Sequence, residues 1–351
     1  MRQPVARSAS RAKFRLKPAL GRAKRDLVSI HDLSVKEVQG LFSLARAIKT
    51  KPQAFRLACQ GRTLAMIFEK QSLRTRVTFE VGMQQLGGYA VYLAPGDISL
   101  GKRESVADVA RNLSRWVDAI MIRTFGHAIV TALAAEATVP VINGLSDLLH
   151  PCQALGDFLT LLEHKGDFRR IRLAYVGDGN NVAHSLAFAA AKVGATFILG
   201  TPRDYSPKPE VLAAAREDAL ETGAQIILVH SAEEAVGGAD AVYTDVWASM
   251  GQESEAEMRR GIFRPFQINR ALMRLAKPDA VFLHCLPAHR NEEVTDEVID
   301  SKQSLVYDQA ENRLHIQKAI LVALLGAVTR GADQEPAPIP SGPAAARRGH
   351  S

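Results

Sequence analysis

Cysteine is scarce in this chain. The three thiols, Cys59, Cys152 and Cys285, have neither the number nor the spacing of a disulfide framework or a zinc site. A reducing compartment is therefore expected, with at least one thiol available for chemistry. No run of ~18 apolar residues occurs, so nothing reads as a membrane-spanning helix. Acidic residues are missing from the first 25 positions, which hold nine Lys or Arg. The whole chain carries a formal charge of +7, so the remainder sums to −2. The basic character thus belongs to the leader, and no basic face for nucleic acid is expected in the folded part. The leader (1–26) reads as a mitochondrial transit peptide, a disordered arm or the product of an upstream start codon. It lacks the apolar core of a secretory signal. The cytoplasm is the expected location, with the mitochondrial matrix as the alternative if residues 1–25 are a transit peptide. Residues 331–351, rich in Pro, Ala and Gly, read as a disordered tail.

What is present is ordinary globular composition, 47% hydrophobic and 23% charged over 351 residues, enough for two domains. Ser34-Val-Lys-Glu37 has the spacing of a capping box and opens a helix to about Lys49. The apolar run ending in Phe68 reads as a buried strand, and a helical pattern follows Val77. Strands at 89–93 and 119–122 alternate with a helix opened by Ser105 and Asp108. A long helix from Pro151 to His164 can cross between domains. The second half repeats the rhythm, with strands at 171–176, 196–200, 225–229, 241–244 and 280–284 and a closing helix. Such alternation predicts an α/β protein with two doubly wound parallel-sheet domains linked by helices. In these sheets ligands gather at the carboxyl ends of strands.

The chemically informative residues fall at those ends. Ser72-Leu-Arg-Thr-Arg76 joins a strand to a helix, bringing hydroxyls, guanidinium forks and free backbone N–H groups together as an anion cradle. Arg123 ends a strand. His150-Pro-Cys-Gln153 opens a helix, with His150 held extended before proline and Gln153 able to bond an amide. Cys152 reads as packing. Gly177-Asp-Gly-Asn-Asn181 follows a strand, but Val182 stands where a dinucleotide fingerprint needs a third small residue. Asn180 and Asn181 can instead serve a zwitterion. Asp245-Val-Trp-Ala-Ser-Met-Gly251 places an acceptor at a strand end, and His284-Cys-Leu-Pro287 a thiol beside an imidazole, an arrangement that lowers a thiol pKa. Arg313 can return a cation from the closing helix.

These blocks, in this order and over roughly residues 27–330, resemble the ornithine carbamoyltransferases. The first block is shared by carbamoyltransferases generally; Ser-Met-Gly with His-Cys-Leu-Pro separates the ornithine enzymes from the aspartate ones. The resemblance implies transfer of a carbamoyl group from carbamoyl phosphate to L-ornithine, giving L-citrulline and phosphate, in the synthesis or catabolism of arginine. It implies that Ser72, Leu73, Arg74, Thr75, Arg123, His150, Gln153, Cys285, Leu286 and Arg313 hold carbamoyl phosphate. Asn181, Asp245, Ser249 and Met250 would hold ornithine, and Cys285, Arg123, His150 and Asp245 would carry the catalysis. No metal or organic cofactor is implied. The domains would be 27–150 for carbamoyl phosphate, joined by the closing helix 311–330, and 151–310 for ornithine. A homotrimer with sites at subunit interfaces is implied too. Leu73 stands where Thr is common, a position that acts through its backbone N–H. Ser99 stands where relatives often carry a Gln or His that reaches a neighbouring site. The rival readings are sister transferases using putrescine or an N-acylated ornithine, a non-catalytic binding paralogue, and an NAD oxidoreductase.

Overall fold

The protein is described from a computed structural model covering residues 24–98, 100–101, 103–248 and 253–326. Helix α1 (Val35–Thr50) starts with the expected capping box. The Ser34 side chain accepts from the Glu37 N–H, and the Glu37 carboxylate accepts from the Ser34 N–H. The first sheet is built from β1 (Thr63–Phe68), β2 (Tyr89–Leu93), β3 (Ala119–Arg123) and β4 (Val141–Leu145), interleaved with α2 (Leu73–Gln85), α3 (Pro95–Ile98), α4 (Val106–Trp116) and α5 (His127–Glu136). Its order is β2-β1-β3-β4, and every pairing is parallel. Helix α6 (Pro151–Lys165) then leads into the second half.

The second sheet comprises β5 (Arg172–Val176), β6 (Thr196–Gly200), β7 (Gln225–Val229), β8 (Ala241–Thr244) and β9 (Val281–His284). Around it lie α7 (Asn181–Val193), α8 (Pro209–Thr222), α9 (Ala232–Val236), α10 (Ala256–Phe263), α11 (Arg270–Met273) and α12 (Asp296–Ile299). Its order is β7-β6-β5-β8-β9, again all parallel. The chain ends its described course in α13 (Val306–Leu325), which packs against α1, α2 and α6. The expected fold class is thus the observed one. In both sheets the order of winding reverses, between β1 and β3 in the first and between β5 and β8 in the second, while every strand stays parallel. Each reversal opens a crevice at the strand ends.

Sequence periodicity placed most elements, but gave no range to β4 or to the short helices α3, α10, α11 and α12, and three further differences stand out. The cradle residues 73–76 lie inside the first turn of α2 rather than ahead of it. Helix α13 begins at Val306, before its expected start, and ends at Leu325 within the described residues. Helix α5 had no recognised signal, because its Ala-rich sequence presents only Val130 and Leu133 to the core. Among the described residues no helix is long and apolar enough to cross a membrane.

The joint between the halves is polar at its centre. Helix α6 is buried on all sides from Pro151 to Leu161, yet it carries Asp157 there. One Asp157 oxygen accepts from the Gln153 and Gln309 amides, each at 2.7 Å, and the other accepts from the Tyr243 hydroxyl at 3.1 Å. Three donors from α6, α13 and β8 thus meet on one carboxylate. Burial still dominates and pushes its pKa up to about 6, the three hydrogen bonds opposing it. An acid with a raised folded pKa contributes stability that is complete below its unfolded value near ~4. That contribution is lost as pH rises through about 6. Unfolding midpoints of the wild type should therefore fall relative to Asp157→Asn between those limits, by the equivalent of about 3 kcal/mol. A constant difference across that range would contradict this placement of the charge.

Candidate active site

At the end of β1, Ser72 adopts an extended backbone and caps α2, its Oγ accepting from the Thr75 N–H at 3.2 Å. The first N–H groups of a helix have no intrahelical acceptor, so those of Leu73 and Arg74 are available to an anion. Strand β3 pairs with β1, which puts Arg123 at the same edge as Phe68 and the cradle. Helix α6 starts at Pro151 with His150 and Gln153 on its first turn, and α13 brings Arg313 across from the far end of the chain. Arg313 donates to Gln153 Oε1 through one terminal nitrogen and to Thr75 Oγ1 at 3.1 Å through the other. Gln153 is itself held by Asp157, so the central network reaches this wall directly.

The opposite wall comes from the second sheet. Strands β8 and β9 run in register as far as Thr244 opposite His284, so the next residues, Asp245 and Cys285, emerge side by side. The Cys285 thiol donates to Asp245 Oδ1 at 2.9 Å, and Asn180 Nδ2 donates to the other oxygen at 2.8 Å. Asn181 bridges the halves, donating to the Ser146 carbonyl at 2.6 Å. Between the walls lies a cavity of about 470 Å³. Ser72, Leu73, Arg74, Thr75, Arg123, His150, Gln153, Asn181, Asp245, Cys285, Leu286 and Arg313 all line it, so the structure brings together every described residue that the resemblance assigns to the site. Arg76, the last residue of the expected cradle, points away and pairs with Glu80. Ser249, Met250 and Ser99 lie outside the described residues.

The electrostatics are one-sided. Arg74, Arg123 and Arg313 enter no ion pair among the described residues, and the Nε atoms of Arg123 and Arg313 are buried without a partner. Burial first, then repulsion from Arg313 and Arg74, pushes the Arg123 pKa down to about 9, so it stays charged at neutral pH. Burial and the same three cations hold His150 well below its usual value, leaving the ring neutral. Asp245 is the one acidic side chain among the described lining residues. A cavity with three uncompensated guanidiniums on one wall and one carboxylate on the other fits a polyanion beside an ammonium or amine.

Three expectations change here. The Cys285 thiol is not activated. Burial raises its pKa well above the ordinary thiol value, and the adjacent Asp245 carboxylate raises it further. The His284 ring hydrogen-bonds Glu293 and the Leu286 N–H instead of the thiol. Asp178 does not face the cavity; it pairs with Arg259 at 3.1 Å. Asn180 is consumed as the cap of α7 and as the Asp245 donor, which leaves Asn181 on the cavity wall. The glycine turn before α7 has a packing reason of its own, since a Cβ on Gly179 would fall 2.2 Å from the Pro207 nitrogen. Cys152 is packing as expected, fully buried with its pKa pushed up to about 12. Sequence reasoning missed Lys70 and Gln71 beside the cradle and His289 at the rim. Their closeness in sequence to recognised motifs was the available signal. It also missed Asp157 and Gln309, which no local pattern marks.

Two parallel α/β halves with an anion cradle facing an acid–thiol pair define a group-transfer site for a phosphorylated donor. The comparisons agree in detail. The model of the aspartate/ornithine carbamoyltransferase carbamoyl-P binding domain matches residues 25–163, and that of the Asp/Orn binding domain matches 169–324. The chain belongs to the aspartate/ornithine carbamoyltransferase family. It is 53% identical to an ornithine carbamoyltransferase of Thermococcus kodakarensis over 311 residues, covering 87% of this chain and 98% of that protein. A relative of the same name from Pyrococcus abyssi is 54% identical over 312 residues, covering 88% and 98%. The ornithine carbamoyltransferase structure from Pyrococcus furiosus superposes with a TM-score of 0.84 at 53% identity, covering 86% of this chain and 97% of that one.

Buried charge without a partner costs stability that a bound anion restores. Arg123→Met should raise the unfolding midpoint of the ligand-free protein by roughly 2–8 °C and abolish the upward shift that inorganic phosphate gives the wild type. A lower ligand-free midpoint in the variant would show that Arg123 has a structural partner instead.

Proposed function

We propose that this chain is an ornithine carbamoyltransferase, transferring the carbamoyl group of carbamoyl phosphate to the δ-amine of L-ornithine to give L-citrulline and phosphate. The observation that carries the reading is the unpaired guanidinium cluster facing the hydrogen-bonded Asp245–Cys285 pair across one cavity. Names shared by relatives above 50% identity over most of the chain support the same substrates.

The residues assign themselves roles by their chemistry. Ser72, the first N–H groups of α2, Arg74 and Thr75 take the phosphate, with Arg123 beside them. Arg123 and Arg313 stabilise the negative charge that grows first on the carbamoyl oxygen and then on the leaving phosphate. Each such preorganised donor is typically worth a few kcal/mol of barrier. Neutral His150 offers a ring N–H to the carbamoyl group without adding another cation, and Gln153 an amide. On the other wall Asp245 accepts from the amino acid's ammonium group and Asn181 bonds its polar end. Ser249 and Met250 complete this ornithine subsite in the proposal. The protonated Cys285 thiol holds Asp245 in place; it is a hydrogen-bond donor, not a nucleophile. The amine must attack neutral, against a solution pKa near ~10, and the buried cations across the cavity favour that proton's loss. The amine nitrogen bonds to the carbamoyl carbon, the C–O bond to phosphate then breaks, and the proton lost from the amine nitrogen leaves with the phosphate, with positioning supplying much of the rate.

We further propose a homotrimer, residues 27–150 with the closing helix as the carbamoyl-phosphate domain, and 151–310 as the ornithine domain. We propose a reducing compartment, the cytoplasm or alternatively the mitochondrial matrix, a reading that the three free thiols support; the mass of the native protein separates the two.

Purified protein with carbamoyl phosphate should form citrulline from ornithine and no product from putrescine or N-acetylornithine. Activity with either alternative amine would move the specificity, and silence with all three would favour a binding paralogue. Cys285→Ala and Arg74→Ala should each lower turnover at least about tenfold with the fold retained; wild-type rates in both would overturn the assignment.

A further inference from the structure

Beyond the cavity wall, the end of β9 is tied by a pair of buried side chains. His284 and Glu293 are both fully buried, and His284 Nε2 lies 3.2 Å from Glu293 Oε1. The other ring nitrogen, Nδ1, accepts the Leu286 N–H at 2.9 Å. An accepting Nδ1 places the proton of the neutral ring on Nε2, toward the carboxylate, so the two contacts fix one tautomer. The same Glu293 oxygen accepts the His289 N–H at 2.6 Å. One carboxylate thus closes the segment 284–293 into a loop that carries Leu286, Pro287 and His289 along the cavity. Gln309 pins its start, accepting the His284 N–H at 2.9 Å.

Leu286 sits at φ +57°, a left-handed conformation that a branched side chain adopts only when its surroundings impose it. Its N–H is taken up by the His284 ring. With its N–H turned back onto that ring, the polar group Leu286 has left is its carbonyl, which accepts no hydrogen bond among the described residues.

We propose that His284 and Glu293 form a positioning pair that holds the Leu286 backbone in the one conformation in which its carbonyl serves the N–H groups of the reacting carbamoyl group and amine. This rests on the carbamoyl-transfer reading above and adds two residues that do not touch substrate. The pair acts through the backbone: Glu293 orients the ring, and the ring orients Leu286. Anion binding at the opposite wall does not depend on it.

The test compares full-length wild type, Glu293→Ala and Glu293→Gln for citrulline formation, inorganic phosphate affinity and unfolding midpoint. Glu293→Ala should lower kcat about tenfold to a hundredfold, while phosphate affinity changes by less than about threefold. Glu293→Gln, whose amide oxygen keeps an acceptor for both N–H groups, should recover to within about threefold of wild type. If Glu293→Ala does not fold, His284→Gln takes its place, since it still reaches Glu293 but offers Leu286 no acceptor; the same split is expected. Unchanged kcat in the folded variant overturns the proposal. So does a joint fall of kcat, phosphate affinity and midpoint, which marks a merely structural pair. A wild type that binds phosphate and forms no citrulline overturns the function reading itself, and the positioning role with it.

Discussion

The constraint on which this structure turns is a cluster of three guanidinium groups, Arg123 and Arg313 buried and Arg74 partly so, with no carboxylate paired to them. Burying a cation is costly unless it is paired, and a fold normally avoids three in one place. Here the arrangement is held from outside. Thr75 and Gln153 accept from Arg313, Gln153 is fixed by Asp157, and Asp157 is fixed by donors from α13 and β8. The carboxylate that compensates the cluster at a distance is thus placed one side chain away from the cavity. The cations stay charged, their solvation is replaced by fixed dipoles, and the missing counter-charge is supplied by the phosphorylated substrate.

That same network explains why two separately wound sheets make one site. Asp157 belongs to the helix between the halves, Tyr243 to the second sheet and Gln309 to the returning helix α13. Gln309 also accepts from the backbone of His284, so the carboxylate that steadies the anion wall is two hydrogen bonds from the strand carrying Cys285. The two walls are therefore registered through shared polar contacts in an otherwise apolar joint. Asn181, donating to Ser146, adds a second such link at the rim of the cavity. Precise spacing between donor and acceptor substrates is what positioning catalysis demands.

Much of this is legible in the sequence, for a physical reason. Alternating strands and helices force parallel sheets, and parallel sheets present ligand residues at strand ends; Ser72, Arg123, Asp245 and Cys285 could be picked out by position alone. What escaped was whatever depends on partners far along the chain. Asp157 looks like a misplaced acid in an apolar helix until Gln309 and Tyr243 are brought to it. Glu293 looks like one surface carboxylate among several until its oxygen is seen between His284 and His289. Helix α5 escaped because alanine packs without leaving a periodic signature. The Cys285 thiol was misread because adjacency in sequence suggested an imidazole partner, whereas the parallel register delivers Asp245, from another strand, to its sulfur.

The central claim is that the anion wall is a preorganised cluster of uncompensated cations. The most direct measurement is the ³¹P resonance of inorganic phosphate bound to the wild-type protein, followed through an acid titration. Three unpaired guanidiniums favour the more highly charged ion, so bound phosphate should remain a dianion to more than about one pH unit below the free ion's midpoint. Bound phosphate that titrates together with the free ion would mean that the arginines are neutralised within the protein, and the account would fail.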